Sequence, residues 1–246
     1  MSTPRLGSVP YLNAHPLLYG LEAEKATPAV LSEQFVAGRY DAALLPVYET
    51  LRLPQPRIVD GFGIGSLGPV HSVVVVHRRP LEDVPEIVLD PASRTSSNLL
   101  RVLLTMRFRI SPRLVGSSAD PHAARLIIGD PAMEFQRGMD SAWEVLDLGR
   151  AWNEWTGLPF VFATWTLSED APLHTAGLLR DAARAGLAAL REIADLEPDP
   201  RAALDYLTRS MHYPIGEPQK HAIREFRGML VACGLLPASS AEPVFV

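Results

Sequence analysis

An amide, a phenol, a run of hydroxyls and one guanidinium are the side chains of this sequence whose placing can do chemistry. Asn13 and Tyr11 stand in Ser8-Val9-Pro10-Tyr11-Leu12-Asn13-Ala14-His15-Pro16-Leu17. The apolar run Leu6 to Val9 reads as a first β-strand that breaks at Pro10. In α/β proteins ligands sit beyond the carboxyl ends of strands, so this loop offers an amide and a phenol at a ligand position. An ordinary strand-turn-helix is the competing reading, because polar loop residues commonly serve turns.

A second group is Asp90-Pro91-Ala92-Ser93-Arg94-Thr95-Ser96-Ser97, between a strand and a helix. One N-cap suffices for a helix, and here Ser93, Thr95, Ser96 and Ser97 supply hydroxyls in excess. The free N–H groups and positive dipole end of a helix start receive carboxylate or phosphate. Arg94 strengthens such a site, since a guanidinium pairs bidentately with a carboxylate. A plain capping box with an exposed arginine is the alternative. In Ile127-Ile128-Gly129-Asp130 a buried strand stops at Gly129, and Asp130 can cap the next segment, hold a ligand hydroxyl or pair with an arginine. Ser72 can donate to a ligand if it faces a cleft; a core-facing strand position is the equal alternative.

Other chemistries find no support. The seven histidines show neither H-x-x-x-H nor H-E-x-x-H spacing, so no metal site is expected. There is no G-x-S-x-G elbow and no phosphate loop ending in Lys-Ser/Thr. Gly63, Gly65 and Gly68 match G-x-G-x-x-G, but Pro69 and a strand follow instead of a helix. The stretch from Gly61 to Gly68 therefore reads as a flexible lead-in to a strand that crosses between lobes, not as a nucleotide site. With net charge −5 and no basic stripe, a nucleic-acid partner is not expected. The longest apolar runs are too short to span a bilayer. The start of the chain lacks a hydrophobic signal core and Cys233 is the single cysteine, so a cytoplasmic location is expected, with no internal disulfide. Cys233 reads as a core residue.

The elements that must position these groups alternate in an α/β manner. After the first strand come a helix over 29–37 and a buried strand over 41–46. Val70 to His77, with four consecutive valines, is the clearest strand. Further strands are expected at 87–89, 125–128 and 143–146, with a helix from Ser97 to Arg107. The C-terminal third reads as helices over 175–196, 201–210 and 218–233, stopped by Gly234. The valine strand is expected to cross from a first lobe to a second, which ends near the strand 158–163. The chain then returns, giving a discontinuous first lobe (1–69 plus 165–246), a second lobe (70–164) and a ligand cleft between them.

Together, several of these stretches resemble the chorismate dehydratase family of the futalosine route to menaquinone. They are Tyr11-Leu12-Asn13, Gly68-Pro69-Val70, Ser93-Arg94-Thr95-Ser96, Ile128-Gly129-Asp130, and the run from Asp147 to Trp165 that contains Thr156-Gly157-Leu158-Pro159-Phe160-Val161-Phe162-Ala163. The resemblance covers residue 5 to about 165, and the combination carries it, no single motif. It implies a two-lobe α/β fold like the type II periplasmic binding proteins. It also implies a cofactor-free elimination that converts chorismate to 3-[(1-carboxyvinyl)oxy]benzoate and water. Asn13 and Tyr11 are then the expected catalytic positions. Ser72, Ser93, Arg94, Thr95, Ser96, Gly129 and Asp130 are the expected substrate contacts.

Loss of the ring C3 proton and the C4 hydroxyl makes the product aromatic, so positioning and desolvation carry much of the catalysis. These motifs are short of a general base, since amides and aliphatic hydroxyls do not titrate near neutrality. A substrate carboxylate is therefore expected to take the C3 proton. If the protein supplies the base, His15, His71 and Asp130 are the candidates. The rival readings are a sister enzyme forming a dihydroxynaphthoate, a non-catalytic solute-binding protein, and an effector-sensing domain. The sister would carry a different N-terminal motif, the solute binder an export signal, and the sensor a helix-turn-helix ahead of the first strand.

Overall fold

The computed structural model describes residues 3–91 and 93–246; Met1, Ser2 and Ala92 lie outside the described residues. The first sheet begins with β1 (Leu6–Ser8), β2 (Glu24–Lys25), β3 (Ala42–Pro46) and β4 (Arg57–Ser66). The chain then builds a second sheet from β5 (Val73–His77), β6 (Glu86–Val88), β7 (Arg113–Val115), β8 (Ala124–Ile128) and β9 (Glu144–Asp147). It returns to the first sheet with β10 (Phe160–Leu167), β11 (His212–Ile215) and β12 (Val244–Phe245). The strand order is β11-β4-β10-β3-β1-β2 in the first sheet, with β12 beside β4, and β7-β6-β8-β5-β9 in the second.

Helices cover both sheets. They are α1 (Pro28–Val36), α2 (Val47–Leu51), α3 (Thr95–Val102), α4 (Asp130–Gly138), α5 (Leu148–Thr156), α6 (Thr175–Ala188), α7 (Leu190–Ala194), α8 (Pro200–Asp205) and α9 (Glu217–Ala232). A 3₁₀ segment, Leu12–Leu18, follows β1, and π-type turns extend α3 and α8. The valines of β5 read as a strand because both its faces are covered: Val74, Val75 and Val76 have no exposed surface. Burying each contributes about 1.5–3 kcal/mol.

Three sequence expectations need correction. The glycine-rich stretch 61–66 is no flexible lead-in but the end of the ten-residue strand β4, inside the first sheet. Its glycines permit close packing: a Cβ at Gly63 would stand 2.9 Å from the Ala163 carbonyl oxygen, and one at Gly65 would stand 2.7 Å from that of Phe160. Both carbonyls belong to β10, which crosses β4 with register shifts. The valine strand does not cross between the sheets; it lies between β8 and β9, and the loop 67–72 makes the crossing. The second lobe does not end with the strand near 158–163: that strand is β10, which lies between β3 and β4 in the first sheet, so the chain returns over 148–159.

The run from Asp147 to Trp165 is largely structural. Asp147 Oδ1 caps α5 by accepting from the Arg150 N–H at 2.9 Å. Gly149 lets α5 approach the Gly68 carbonyl, which a Cβ would meet at 2.6 Å. Trp152 is fully buried, donates its indole N–H to the Pro159 carbonyl, and stacks edge-on against Phe160 and Phe226. Gly157 ends the helix in the left-handed conformation, φ 72°.

Candidate active site

A cleft lies between the two sheets. The structure brings Tyr11, Asn13, Ser72, Ser93, Arg94, Thr95, Ser96 and Gly129 to its wall. The apolar remainder includes Leu44, Ile64, Val70, Phe162 and Met211. Asp130 is the exception. It is the first residue of α4, not on the cleft wall, and its Oδ1 is buried without a partner in the protein. Burial pushes its carboxyl above the ordinary range, against the opposing pull of the Leu12 N–H. His71 is exposed, and His15 lines a separate surface groove, 3.9 Å from Glu197. Burial pushes the His15 imidazole down, with Lys25 adding to the effect. None of the three candidate bases lines the cleft.

Ser72 owes its position to a strained turn. The Ser72 N–H donates to the Val70 carbonyl at 2.7 Å, closing a turn around His71, whose φ is +60°. A non-glycine residue there costs about 1–3 kcal/mol and needs outside support. Asp147 Oδ2 supplies it, accepting the N–H groups of Val70 at 2.9 Å and His71 at 2.7 Å. The Gln136 amide on the His71 carbonyl and the Gly129 N–H on the Ser72 carbonyl, at 2.7 Å, complete the clamp. Gly129 itself has φ 68° and ψ −153°, a region open essentially to glycine alone. A Cβ there would stand 3.0 Å from the Tyr11 ring, so the glycine also seats the phenol.

Sequence reasoning missed Tyr206. Its hydroxyl donates to Ser72 Oγ at 2.7 Å and accepts from Asn13 Nδ2 at 3.0 Å. It is buried, and burial raises its phenol far above the usual value, so it stays protonated. Asn13 Oδ1 is buried with no partner in the protein. In the sequence, Tyr206 was one aromatic among expected helices, and only a π-type turn at 206–210 marks it, a feature common at functional sites.

At the other end of the cleft, Arg94 takes the N-cap position of α3 with no side-chain cap. Its guanidinium stands 3.8 Å from Glu49 and 3.9 Å from Glu33, beyond hydrogen-bond distance of both. Thr95 Oγ1 accepts from the Tyr48 N–H at 3.1 Å, while Ser93 Oγ and Ser97 Oγ are buried without a partner. The hydroxyls are thus not consumed in capping the helix. Among the described residues, the cleft wall holds no carboxylate, imidazole, thiol or amine. Its ionisable groups are the Arg94 guanidinium and the Tyr11 phenol. Burial first, then Asp90 and Asp130, holds that phenol in its protonated form.

Two α/β units, joined by crossings at 67–72 and 148–159 around a cleft, are the architecture of the periplasmic binding proteins. A Candida albicans protein described as exhibiting the generic periplasmic binding protein fold superposes with TM-score 0.62 at 11% identity, over 97% of this chain and 92% of its own. Protein AF1704 from Archaeoglobus fulgidus superposes with TM-score 0.73 at 15% identity, over 95% and 98%. The profile of a family described as menaquinone biosynthesis matches residues 4–232, and the chain belongs to that family. The chorismate dehydratase of Thermus thermophilus is 28% identical over 92% of this chain and 93% of its own length.

Proposed function

We propose that this protein is a chorismate dehydratase: it eliminates water from chorismate to give 3-[(1-carboxyvinyl)oxy]benzoate, without a cofactor, in the cytoplasm. The observation that carries the reading is a largely apolar cleft whose polar side chains, among the described residues, include no carboxylate, imidazole, thiol or amine base. A substrate that brings its own carboxylates suits such a wall. One carboxylate binds at the start of α3, where backbone N–H groups, the Ser93, Thr95 and Ser96 hydroxyls and Arg94 converge. The two lobes, which exchange the chain at 67–72 and 148–159, exclude water around it.

The enolpyruvyl carboxylate acts as the base. It is tethered through the ether oxygen to C3, so it reaches the C3 proton through a compact cyclic arrangement. The electron pair left at C3 forms the new ring double bond as the C4 hydroxyl departs. The transferred proton and that hydroxyl leave as water. Asn13, Tyr11 and Ser72 hold the enolpyruvyl arm and the departing hydroxyl. Apolar walls at Ile64, Phe162 and Met211 keep the carboxylate poorly solvated and therefore basic.

The test is turnover of chorismate by the purified protein, followed as appearance of the aromatic enol ether by chromatography and mass. With it goes alanine substitution, one at a time, at His15, His71 and Asp130. Product with each variant supports the reading. A loss of about 10²–10⁴-fold at one of the three identifies a protein base. Tight binding without product points to a solute binder, and no binding to the sister enzyme.

A further inference from the structure

We propose that Tyr206 is a positioning residue that fixes the hydrogen-bond polarity of the cleft, so that Ser72 presents a donor and Asn13 an acceptor to the substrate. The inference rests on the chorismate reading for its kinetic test, but its geometry does not. Tyr206 is not part of the cleft wall; it acts from behind through the two wall residues.

Proton count sets the direction of these bonds. A phenol has a single proton. The Tyr206 hydroxyl gives that proton to Ser72 Oγ and takes one from Asn13 Nδ2. Ser72 therefore has no use for its own proton toward Tyr206 and directs it elsewhere; its side chain is buried and on the cleft wall. Asn13 has its nitrogen committed to Tyr206, which turns Oδ1 away as a buried acceptor without a protein partner. Without the Tyr206 hydroxyl the Asn13 amide can flip and the Ser72 hydroxyl can rotate, so the two wall residues lose their defined polarity.

The turn around His71 holds the Ser72 end of this relay and the π-type turn at 206–210 holds its centre, from different parts of the chain. For the elimination, the pair is suited to bracket the C4 hydroxyl. Ser72 donates to the departing oxygen, while Asn13 accepts from that hydroxyl before it leaves.

Tyr206→Phe keeps the ring and removes the relay. The expected result is a kcat lower by about ten- to a hundred-fold, with KM within about three-fold and an unchanged circular dichroism spectrum. Tyr213→Phe is the control: it removes another buried hydroxyl, one without a partner, and keeps wild-type turnover. In a Ser72→Ala background the further change Tyr206→Phe lowers kcat by less than about three-fold, because the relay is already cut. Equal losses in both backgrounds overturn the proposal, as does a Tyr206→Phe kcat within about two-fold of wild type. If Tyr206→Phe does not fold, Ser72→Ala decides: a kcat within about two-fold of wild type overturns the relay.

A substrate-free measurement separates this inference from the chorismate reading. The Asn13 side-chain NH₂ resonance, assigned by its loss in Asn13→Ala, exchanges slowly in the wild type and faster in Tyr206→Phe. An unchanged resonance overturns the relay whatever the substrate. Absence of chorismate turnover with a shifted resonance sinks the substrate reading and leaves the relay standing.

Discussion

Replacing Asp147 by Asn tests how far the site depends on a carboxylate outside the cleft. In the wild type its two oxygens accept three backbone N–H groups, from Val70, His71 and Arg150. Hydrogen bonds to a charged acceptor contribute about 1.5–3 kcal/mol each, against about 1 for neutral ones. Asn keeps one oxygen, and its NH₂ must face a donor. If the oxygen stays on Val70 and His71, the cap of α5 is lost at about 1 kcal/mol and the remaining bonds weaken. If it turns to Arg150, the strained turn at His71 loses both its supports. Either way the cost is about 2–4 kcal/mol, since the terms are not additive. Urea denaturation reads this directly, as a lower midpoint at unchanged slope. The second readout is turnover: with the turn relaxed, Ser72 leaves its position and kcat falls by about ten-fold or more while substrate binding at Arg94 persists. A stability loss under about 1 kcal/mol with unchanged kcat would refute the claim that Asp147 holds the turn.

The other predictions follow the same geometry. Gly129→Ala forces a side chain into a conformation costing about 1–3 kcal/mol and pushes on the Tyr11 ring, so both melting temperature and kcat fall; a variant with wild-type values contradicts the seating of Tyr11. Asn13→Ala lowers kcat with little change in KM, whereas Arg94→Ala raises KM, and steady-state kinetics with the reverse pattern would exchange their roles. Asp130 titrates above the ordinary carboxyl range because it is partly buried, so the folded state holds its proton more tightly than the unfolded chain. Its contribution to stability therefore improves as pH falls through the native pKa toward about 4. Asp130→Asn is accordingly favoured over wild type most at pH 7 and least near pH 4; a difference that is flat in a pH series of denaturation curves contradicts the burial argument.

What the sequence made legible was decided by how local the physics is. The valine strand, the loop after Leu6–Ser8 and the helix at Thr95 announce themselves through β-branching, a proline break and clustered hydroxyls, all within a few residues. The strand Arg57–Ser66 hid because its glycines suggest turns, and only the carbonyls of β10, a hundred residues away, explain them. The polar residues gathered around the cleft come from four separate stretches of chain, and their types, read with the family resemblance, singled them out, whereas the apolar wall residues carried no such signal. Tyr206 could not be found that way: nothing local distinguishes it from a core tyrosine, and its partners are 134 and 193 residues distant. Asp130 shows the converse, since its position after Gly129 suggested a ligand contact while the structure sets it behind the cleft wall as the first residue of α4.

The most direct test of a cleft that relies on the substrate's own base is to take that base away. Chorismate with its enolpyruvyl carboxyl converted to the primary amide keeps its size and its ring carboxylate. The account predicts that this analogue binds in competition with chorismate and gives no aromatic product within the time of many turnovers of chorismate itself. Elimination from the amide within about ten-fold of the rate with chorismate would contradict the account, because a protein group would then be taking the proton.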